Sequence, residues 1–215
     1  MKIGIIGSGE VGRTLGTGFA KYGHSVMLGT RDPKKKEVAE WVAKTPGASG
    51  GTFAETAKFG ELIVLAVLGS AVDAILAAAG PANFAGKTVI DTVNPIADEP
   101  PVKGILKFST GPNESICEHI QAKLPDAHVV KAFNSVGSAL MVNPQFADGQ
   151  PTMFYCGNND PAKKQVSDIL VQFGYEPYDC GPIEAARAIE PLCVLWCLPG
   201  FQRNEWNHAF KMLSK

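Results

Sequence analysis

The opening of the chain limits its fold more than any other segment. An apolar run, Lys2-Ile3-Gly4-Ile5-Ile6, breaks into Gly7-Ser8-Gly9-Glu10-Val11-Gly12. That string leads into a helical pattern over Val11–Tyr22 and a second apolar run at Ser25–Leu28. The spacing predicts strand, glycine turn, helix and strand within about 30 residues, a βαβ unit. A GxGxxG string alone is weak, but here each glycine has a place in that unit. Gly7 allows the tight turn, Gly9 lets backbone approach a pyrophosphate, and Gly12 lets helix pack on strand. Free N–H groups at the positive helix end would carry the anion. Ser8, Glu10 and Val11 complete the loop. Glu10 places a carboxylate near that anion, although acids are favoured in a first helical turn. The alternative is a glycine-rich turn with no ligand.

The same grammar recurs along the chain. Lys34–Lys44 reads as helix and Gly51–Phe53 as a short strand. Leu62–Val67 reads as a buried strand, followed by an alanine-rich helix over Ala71–Ala79 that Gly80-Pro81 closes. Thr88–Asp91 is a predicted strand, Glu114–Lys123 a helix with Ile116, Ile120 and Leu124 on one face, and His128–Phe133 a strand. Repeated βα units force a largely parallel sheet with helices on both faces, an α/β, doubly wound, Rossmann-type fold. A smaller α/β extension follows the stretch around Asn143–Pro151. It reads as strand Thr152–Gly157, a helix capped at Asp160-Pro161 that buries Val166, Ile169, Leu170 and Phe173, and a left-handed stop at Gly174. Strand Tyr175–Asp179 comes next, pushed to a sheet edge by Pro177. From Ile183 the pattern is mostly helical, interrupted at Pro199-Gly200. The expected division is a nucleotide-binding domain over residues 1–148 and a small cap over 149–215 that could pack on the same sheet.

Composition excludes several classes. Twenty Lys and Arg against twenty-one Asp and Glu leave a net charge of −1, which fits neither a polybasic nucleic-acid binder nor an acidic disordered tail. Leu62–Ala82, with Asp73 its only charge, approaches the ~20 apolar residues of a membrane span. Gly69-Ser70 divides it into strand and helix, so no span is expected. No secretory leader is read at the start. The cysteines Cys117, Cys156, Cys180, Cys193 and Cys197 match no metal-site spacing. Buried free thiols in a cytoplasmic protein are the expectation, with no metal site.

A dinucleotide site that takes NAD places Asp or Glu at the end of the second strand, roughly 20 residues beyond the glycines, for the ribose 2′-hydroxyl. Here that place reads Leu28-Gly29-Thr30-Arg31-Asp32-Pro33-Lys34-Lys35-Lys36. Thr30 stands where the acid would be, and a hydroxyl followed by a guanidinium suits a 2′-phosphate. Asp32 is better explained as a turn or cap residue before Pro33. The lysines start a helix, where cations oppose the dipole, so a compensating anion is expected. The reading is NADP rather than NAD.

The partner in the reaction should sit at the carboxyl ends of the strands. Those ends carry Ala66-Val67-Leu68-Gly69, Thr92-Val93-Asn94-Pro95 and Lys131-Ala132-Phe133-Asn134-Ser135. The Thr92–Pro112 stretch is long for a loop and reads as an ordered wall over a pocket. Reduction of a carbonyl needs a general acid, usually His, Lys or Tyr. His24, His119 and His128 lie away from these ends, and His208 is placed in a terminal helix. Lys131 reads as an edge or structural lysine. A flavin-like ring, which needs no proton from the protein, fits best. The apolar helix from Glu190 to Leu198 reads as core, a homodimer surface or an acceptor wall.

At this point the chain resembles the NADP-dependent oxidoreductases of the deazaflavin coenzyme F420, with the reductase domain of the six-transmembrane metalloreductases as a related branch. The glycine loop, Gly29-Thr30-Arg31, Asn94-Pro95, Val129–Asn134 and Asp179-Cys180-Gly181-Pro182 carry the resemblance over nearly the full length. It implies NADPH on Gly7–Gly12, with Thr30, Arg31 and Lys35 at the 2′-phosphate. Ala66, Val67 and Leu68 would flank the nicotinamide with Ala132, Phe133 and Asn134. The loop after Asn94 and Pro95 and the helix near Pro191–Trp196 would face the acceptor. Asn134 would orient the nicotinamide amide or the acceptor. Leu68-Gly69 stands where deazaflavin enzymes tend to carry Pro-Trp, and Asn134 where some members carry His. The acceptor is therefore left open among deazaflavin, flavin and other small redox molecules. Alternatives are a non-catalytic NADPH-sensing module, and a small imine, β-hydroxyacid or ferric reductase.

Overall fold

Strands that are apolar on both faces suit a sheet covered by helices on both sides. A computed structural model, which describes residues 1–214, has that arrangement. The strands are β1 (Lys2–Ile6), β2 (Ser25–Gly29), β3 (Ala48–Gly51), β4 (Leu62–Leu65), β5 (Thr88–Asp91), β6 (His128–Lys131), β7 (Thr152–Gly157) and β8 (Glu176–Asp179). They form one sheet in the order β3-β2-β1-β4-β5-β6-β7-β8. Every neighbouring pair is parallel except β6 with β7. The link from β6 to β7 contains no α-helix, so the chain returns antiparallel rather than crossing over. β8 lies at the edge, as Pro177 requires.

The helices are α1 (Glu10–Lys21), α2 (Lys36–Lys44), α3 (Phe53–Phe59), α4 (Val72–Ala79), α5 (Ile116–Lys123), α6 (Asp160–Gln172), α7 (Ala186–Ile189) and α8 (Pro191–Arg203). Period-two alternation splits the core. Ile3, Ile5, Leu62, Val64, Ile90 and Val130 pack with Leu15 and Phe19 of α1 and with Val166 and Leu170 of α6. Ile6, Ile63, Leu65, Val89 and Val129 pack on the other face with Ala57, Leu76 and Ile120 of α3, α4 and α5. Each such aliphatic side chain contributes roughly 1.5–3 kcal/mol by leaving water. Gly174 is left-handed, with φ 88°, and ends α6 as expected.

Three local expectations are corrected. Gly51–Phe53 is not a strand: β3 stops at Gly51, and Phe53 begins α3. A capping box starts that helix, because the Thr52 side chain accepts from the Glu55 N–H while the Glu55 carboxylate accepts from the Thr52 N–H at 2.7 Å. Pro199-Gly200 does not interrupt the last helix, since α8 runs to Arg203. Pro199 lies inside the helix, which runs on for four residues beyond it although the ring gives up one backbone hydrogen bond. His208 lies in an extended tail rather than a helix. That tail is held by stacking of His208 on Trp196, by a tilted contact of Trp206 with the same ring, and by the Thr152 N–H donating to the Phe210 carbonyl at 2.8 Å. No helix among the described residues is long and apolar enough to cross a membrane.

Candidate functional site

The order of the strands reverses between β1 and β4, the switch point at whose carboxyl ends sheets of this kind form their binding crevice. Backbone bonds line up the segments along it. The Gly7 N–H donates to the Gly29 carbonyl at 3.0 Å, Ala66 to Ile6 at 2.8 Å, Thr92 to Leu65 at 3.2 Å, and Ala132 to Asp91 at 3.0 Å. Thr30, the glycine loop, Ala66, Asn94 and Asn134 thus succeed one another along one edge. Four strand spacings cover about 19 Å.

The glycine loop has the geometry its sequence suggests. Gly7 has φ 119°, a conformation that a side chain would strain, and a Cβ there would collide with the Ala66 carbonyl. A Cβ on Gly12 would collide with the Gly7 carbonyl. Gly9 is different: a Cβ there meets nothing within 4 Å. Gly9 is also the N-cap of α1, and no side chain caps the helix amides. The loop therefore presents free donors beside open space. Two clasps hold it. Arg13 donates to the Ser8 carbonyl at 2.8 Å, and Ser138 donates to the Glu10 carboxylate at 2.8 Å. Neither Arg13 nor Ser138 stood out in the sequence, because each acts through a backbone or long-range contact that no spacing encodes.

At the end of β2, Thr30 is buried and its N–H donates to Gly51, while Arg31 is exposed and forms no ion pair among the described residues. Asp32 accepts from the Lys34 N–H at 2.9 Å, the turn role expected of it. Lys35 is the N-cap of α2, and Lys36 pairs with Glu40.

Farther along, the Asn94 side chain donates to the Asn134 carbonyl at 2.9 Å. The Asn134 side chain donates to Asn94 Oδ1 at 3.2 Å and to the Ile189 carbonyl at 3.0 Å. Asn134 Oδ1 is buried without a donor. Before it, Phe133 is left-handed with φ 63°, and its ring lies in the core against Phe173 and Tyr175 rather than in the crevice. Ala132 is wholly buried, and Leu68 is 73% exposed at the rim. Pro95 anchors an arm: its carbonyl accepts from the Ser109 N–H, and Ile96 bridges Phe108. The arm's tip at Val102–Ile105 is exposed and places Gly104 against Phe201 and Gln202 of α8. Cys193 and Trp196 form the buried face of α8, while Leu195 and Phe201 face outward.

Lys131 is neither at an edge nor free. It is wholly buried in the sheet interior, donates to the Val93 carbonyl at 2.6 Å, and forms ion pairs with Asp91 at 2.7 Å and Glu190 at 2.9 Å. Burial works against its charge, but Asp91 and then Glu190 outweigh burial and hold its pKa above the ordinary value. Burial pushes the Glu190 carboxyl up, against the pull of Lys131. Two carboxylates and one carbonyl enclose the ammonium, so this lysine is a structural cation. His24 and His128 are away from the crevice, His119 lines a cleft beside it and meets Asp73 at 2.6 Å, and His208 donates to or accepts from its own neighbourhood at Trp196. A side cleft of about 610 Å³ adjoins the crevice at Gly69 and is lined by Asp73, Ser109, Asn113, His119 and Arg187. Of the cysteines, Cys117, Cys156 and Cys193 are buried, and Cys180 and Cys197 are half-buried; all are free. No cluster of metal-ligating side chains occurs among the described residues.

The model of the family "NADP oxidoreductase coenzyme F420-dependent" matches residues 2–95. A solved structure of a candidate F420-dependent NADP-reductase from Arthrobacter sp. FB24 superposes with a TM-score of 0.92, at 34% identity over 100% of both chains. The chain belongs to this family. Metalloreductase STEAP3 of Rattus norvegicus is 32% identical over 204 residues, 92% of this chain and 38% of that protein. Metalloreductase STEAP2 of Homo sapiens is 29% identical over 191 residues, 88% of this chain and 35% of that protein. The chain spans less than two fifths of these curated relatives. An imine reductase from Aspergillus terreus shares the fold alone, with a TM-score of 0.67 at 19% identity over 93% of this chain and 62% of that one. The protein is thus an oxidoreductase of an NADP-dependent family with a mostly parallel α/β sheet.

Proposed function

We propose that the protein binds NADP(H) along the crevice and passes hydride to a deazaflavin or flavin ring. The residues present fit the dinucleotide. Gly9 leaves a cradle that a Cβ would enter, the first amides of α1 are uncapped by side chains, and Asn134 Oδ1 is a buried acceptor awaiting a donor. In this reading Gly7–Gly12 hold the pyrophosphate, and Thr30, Arg31 and Lys35 hold the 2′-phosphate. Ala66, Val67, Leu68, Asn94, Pro95, Ala132, Phe133 and Asn134 surround the nicotinamide end, Phe133 through its backbone. NADPH supplies the hydride when bound. The chain's own residues bind, orient and exclude water, and no side chain at the crevice moves a proton.

The single observation that carries the acceptor class is the enclosure of Lys131. The one ammonium near the strand ends is enclosed by Asp91, Glu190 and the Val93 carbonyl, and the other polar side chains there are the amides of Asn94 and Asn134 and the hydroxyls of Thr92 and Ser135, none of them an ionisable acid. A carbonyl or imine substrate lacks a proton donor at such a site, whereas a redox ring needs only distance and alignment. Similarity to the metalloreductases favours a second reading, with a ferric chelate as terminal acceptor. Residues 1–148 would form the dinucleotide-binding part and 149–215 the cap. Exposed Leu195 and Phe201 on α8 support a homodimer, and free thiols support a cytoplasmic location.

NADPH oxidation against deazaflavin, flavin, ferric chelate and aldehyde tests this, with NADH as control. Rapid turnover with a ring acceptor, and at least tenfold loss of NADPH over NADH preference in Arg31→Ala, is the expected result. That loss corresponds to one charge-assisted hydrogen bond of about 1.5–3 kcal/mol. NADPH binding without oxidation by any acceptor would leave a sensing module, and turnover with aldehydes alone would sink the ring reading.

A further inference from the structure

Glu190 occupies an unusual place in the fold. It stands at the junction of α7 and α8, is 1% exposed, and yet reaches across to two other elements. Its Oε1 forms an ion pair with Lys131 Nζ at 2.9 Å and accepts from the Cys117 N–H at 3.1 Å, and its Oε2 accepts from the Ile116 N–H at 3.1 Å. It therefore neutralises free amides at the start of α5 while pairing with a cation in β6. The preceding residue, Ile189, is 2% exposed, and its carbonyl accepts from Asn134.

We propose that Glu190 is a positioning residue for the carboxyl end of β6. Clamped by Lys131 and by the first amides of α5, it fixes the Ile189 carbonyl, which in turn fixes the Asn134 side chain. The geometry favours this over a stabilising role. One ammonium faces two carboxylates, Asp91 and Glu190, so removing the Glu190 charge leaves a balanced Lys131–Asp91 pair rather than an orphaned ion. Glu190 is thus not needed to neutralise Lys131. What it supplies is direction. No other side chain ties the α7–α8 junction both to the sheet and to the start of α5 at hydrogen-bond distance among the described residues. That the fixed amide serves a nicotinamide rests on the function proposed above, but its fixing by Glu190 does not.

Glu190→Gln separates these roles. The glutamine keeps the size and one oxygen, but it turns an NH2 group toward an N–H of α5, so the clamp loosens while the buried charge stays balanced. In the ligand-free full-length protein, the side-chain ¹⁵N–¹H signals of Asn134, assigned by their loss in Asn134→Asp, should shift and broaden. The midpoint of thermal unfolding should fall by about 2–10 °C, the cost of one buried N–H left without its acceptor. With NADPH saturating, kcat should fall on the order of tenfold to a hundredfold, the scale of a small misplacement, with little change in KM for the acceptor. Glu190→Asp keeps the charge and withdraws it by one methylene. It should shift the same signals, and it decides the matter if Glu190→Gln fails to fold. Unmoved Asn134 signals in the variant that folds would overturn the proposal. Moved signals with unchanged NADPH affinity and turnover would uphold the clamp and sink instead the role given to Asn134 in the reaction.

Discussion

Replacing Gly9 by Ala isolates ligand binding from folding. Gly9 has φ −69° and ψ −174°, backbone that any residue adopts, and a Cβ there meets no protein atom within 4 Å. Alanine is a poorer N-cap than glycine, by several tenths to about 1 kcal/mol. Lower freedom of the unfolded chain returns about 0.4–1 kcal/mol. The two nearly cancel, and at this length a residual 1 kcal/mol moves Tm by only about 2–4 °C. The methyl group enters the space beside the free α1 amides, where a pyrophosphate oxygen would lie. Losing one charge-assisted hydrogen bond costs about 1.5–3 kcal/mol, or roughly a 10- to 150-fold rise in Kd.

Fluorescence titration with NADPH, together with a thermal melt, reads both quantities on one sample. Gly12→Ala is the opposing control: its Cβ collides with the Gly7 carbonyl, so it should lose stability whatever ligand is present. A folded Gly9→Ala protein that binds NADPH as tightly as the parent would refute the reasoning and leave the loop as a turn without a ligand.

Other substitutions test the framework. Gly137→Ala puts a Cβ 2.5 Å from the Trp196 ring, so the ring must move; overpacking of this kind costs about 1–3 kcal/mol, and a shift in tryptophan emission should accompany a lower Tm. Thr52→Ala removes the capping box of α3 and should cost about 1 kcal/mol in a urea melt, with no change in slope. Arg187 beside Glu118, bonded at 2.6 and 2.9 Å, holds that carboxyl below its ordinary value of 4.5. A depressed carboxyl adds stability above its unfolded pKa and loses it as pH falls through the folded one. Glu118→Gln should therefore be less stable than the parent at pH 7, by at most about 1 kcal/mol for this partly exposed pair, and equal to it once the parent's carboxyl is protonated. Equal urea midpoints at pH 7 would show the pair to be idle.

Much of the architecture was legible because it rests on short-range rules. Period-two apolar runs such as Leu62–Leu65 mark buried strands, and Gly7 and Gly12 mark places where backbone must approach backbone. The α3 helix was missed despite its signature. Thr52 and Glu55 stand three apart, but the glycine-rich segment before them carries too few side chains to show any period. His208 was misplaced for another reason: the tail is held by ring stacking on Trp196, a contact set by tertiary packing. The candidate site divides similarly. The loop, Thr30 and Asn134 were visible one by one. The clasp of Arg13 on Ser8, and the triad that consumes Lys131, join residues up to 59 positions apart in chain order and leave no spacing to read.

The end of β6 concentrates two local costs on adjacent residues. Phe133 holds a left-handed conformation, worth roughly 1–2 kcal/mol against a non-glycine residue. Glycine would relieve it, but the ring packs tilted against Phe173 and edge-on to Tyr175 in the core, where Phe→Ala truncations cost about 3–5 kcal/mol. The strained aromatic is thus the lower-energy choice. Its turn directs Asn134 sideways to Asn94 and Ile189 instead of onward along the strand. The second cost is the donorless Asn134 Oδ1, about 1–3 kcal/mol for a buried acceptor. Packing explains the first and offers nothing for the second, since both amide protons already point at protein acceptors. A donor arriving from a bound molecule would recover that second cost, and it would do so only while the amide keeps its present orientation. On the clamp proposed above, the hold on Ile189 and the unmet acceptor on Asn134 belong together: an amide with its orientation fixed in advance and one acceptor left unmet.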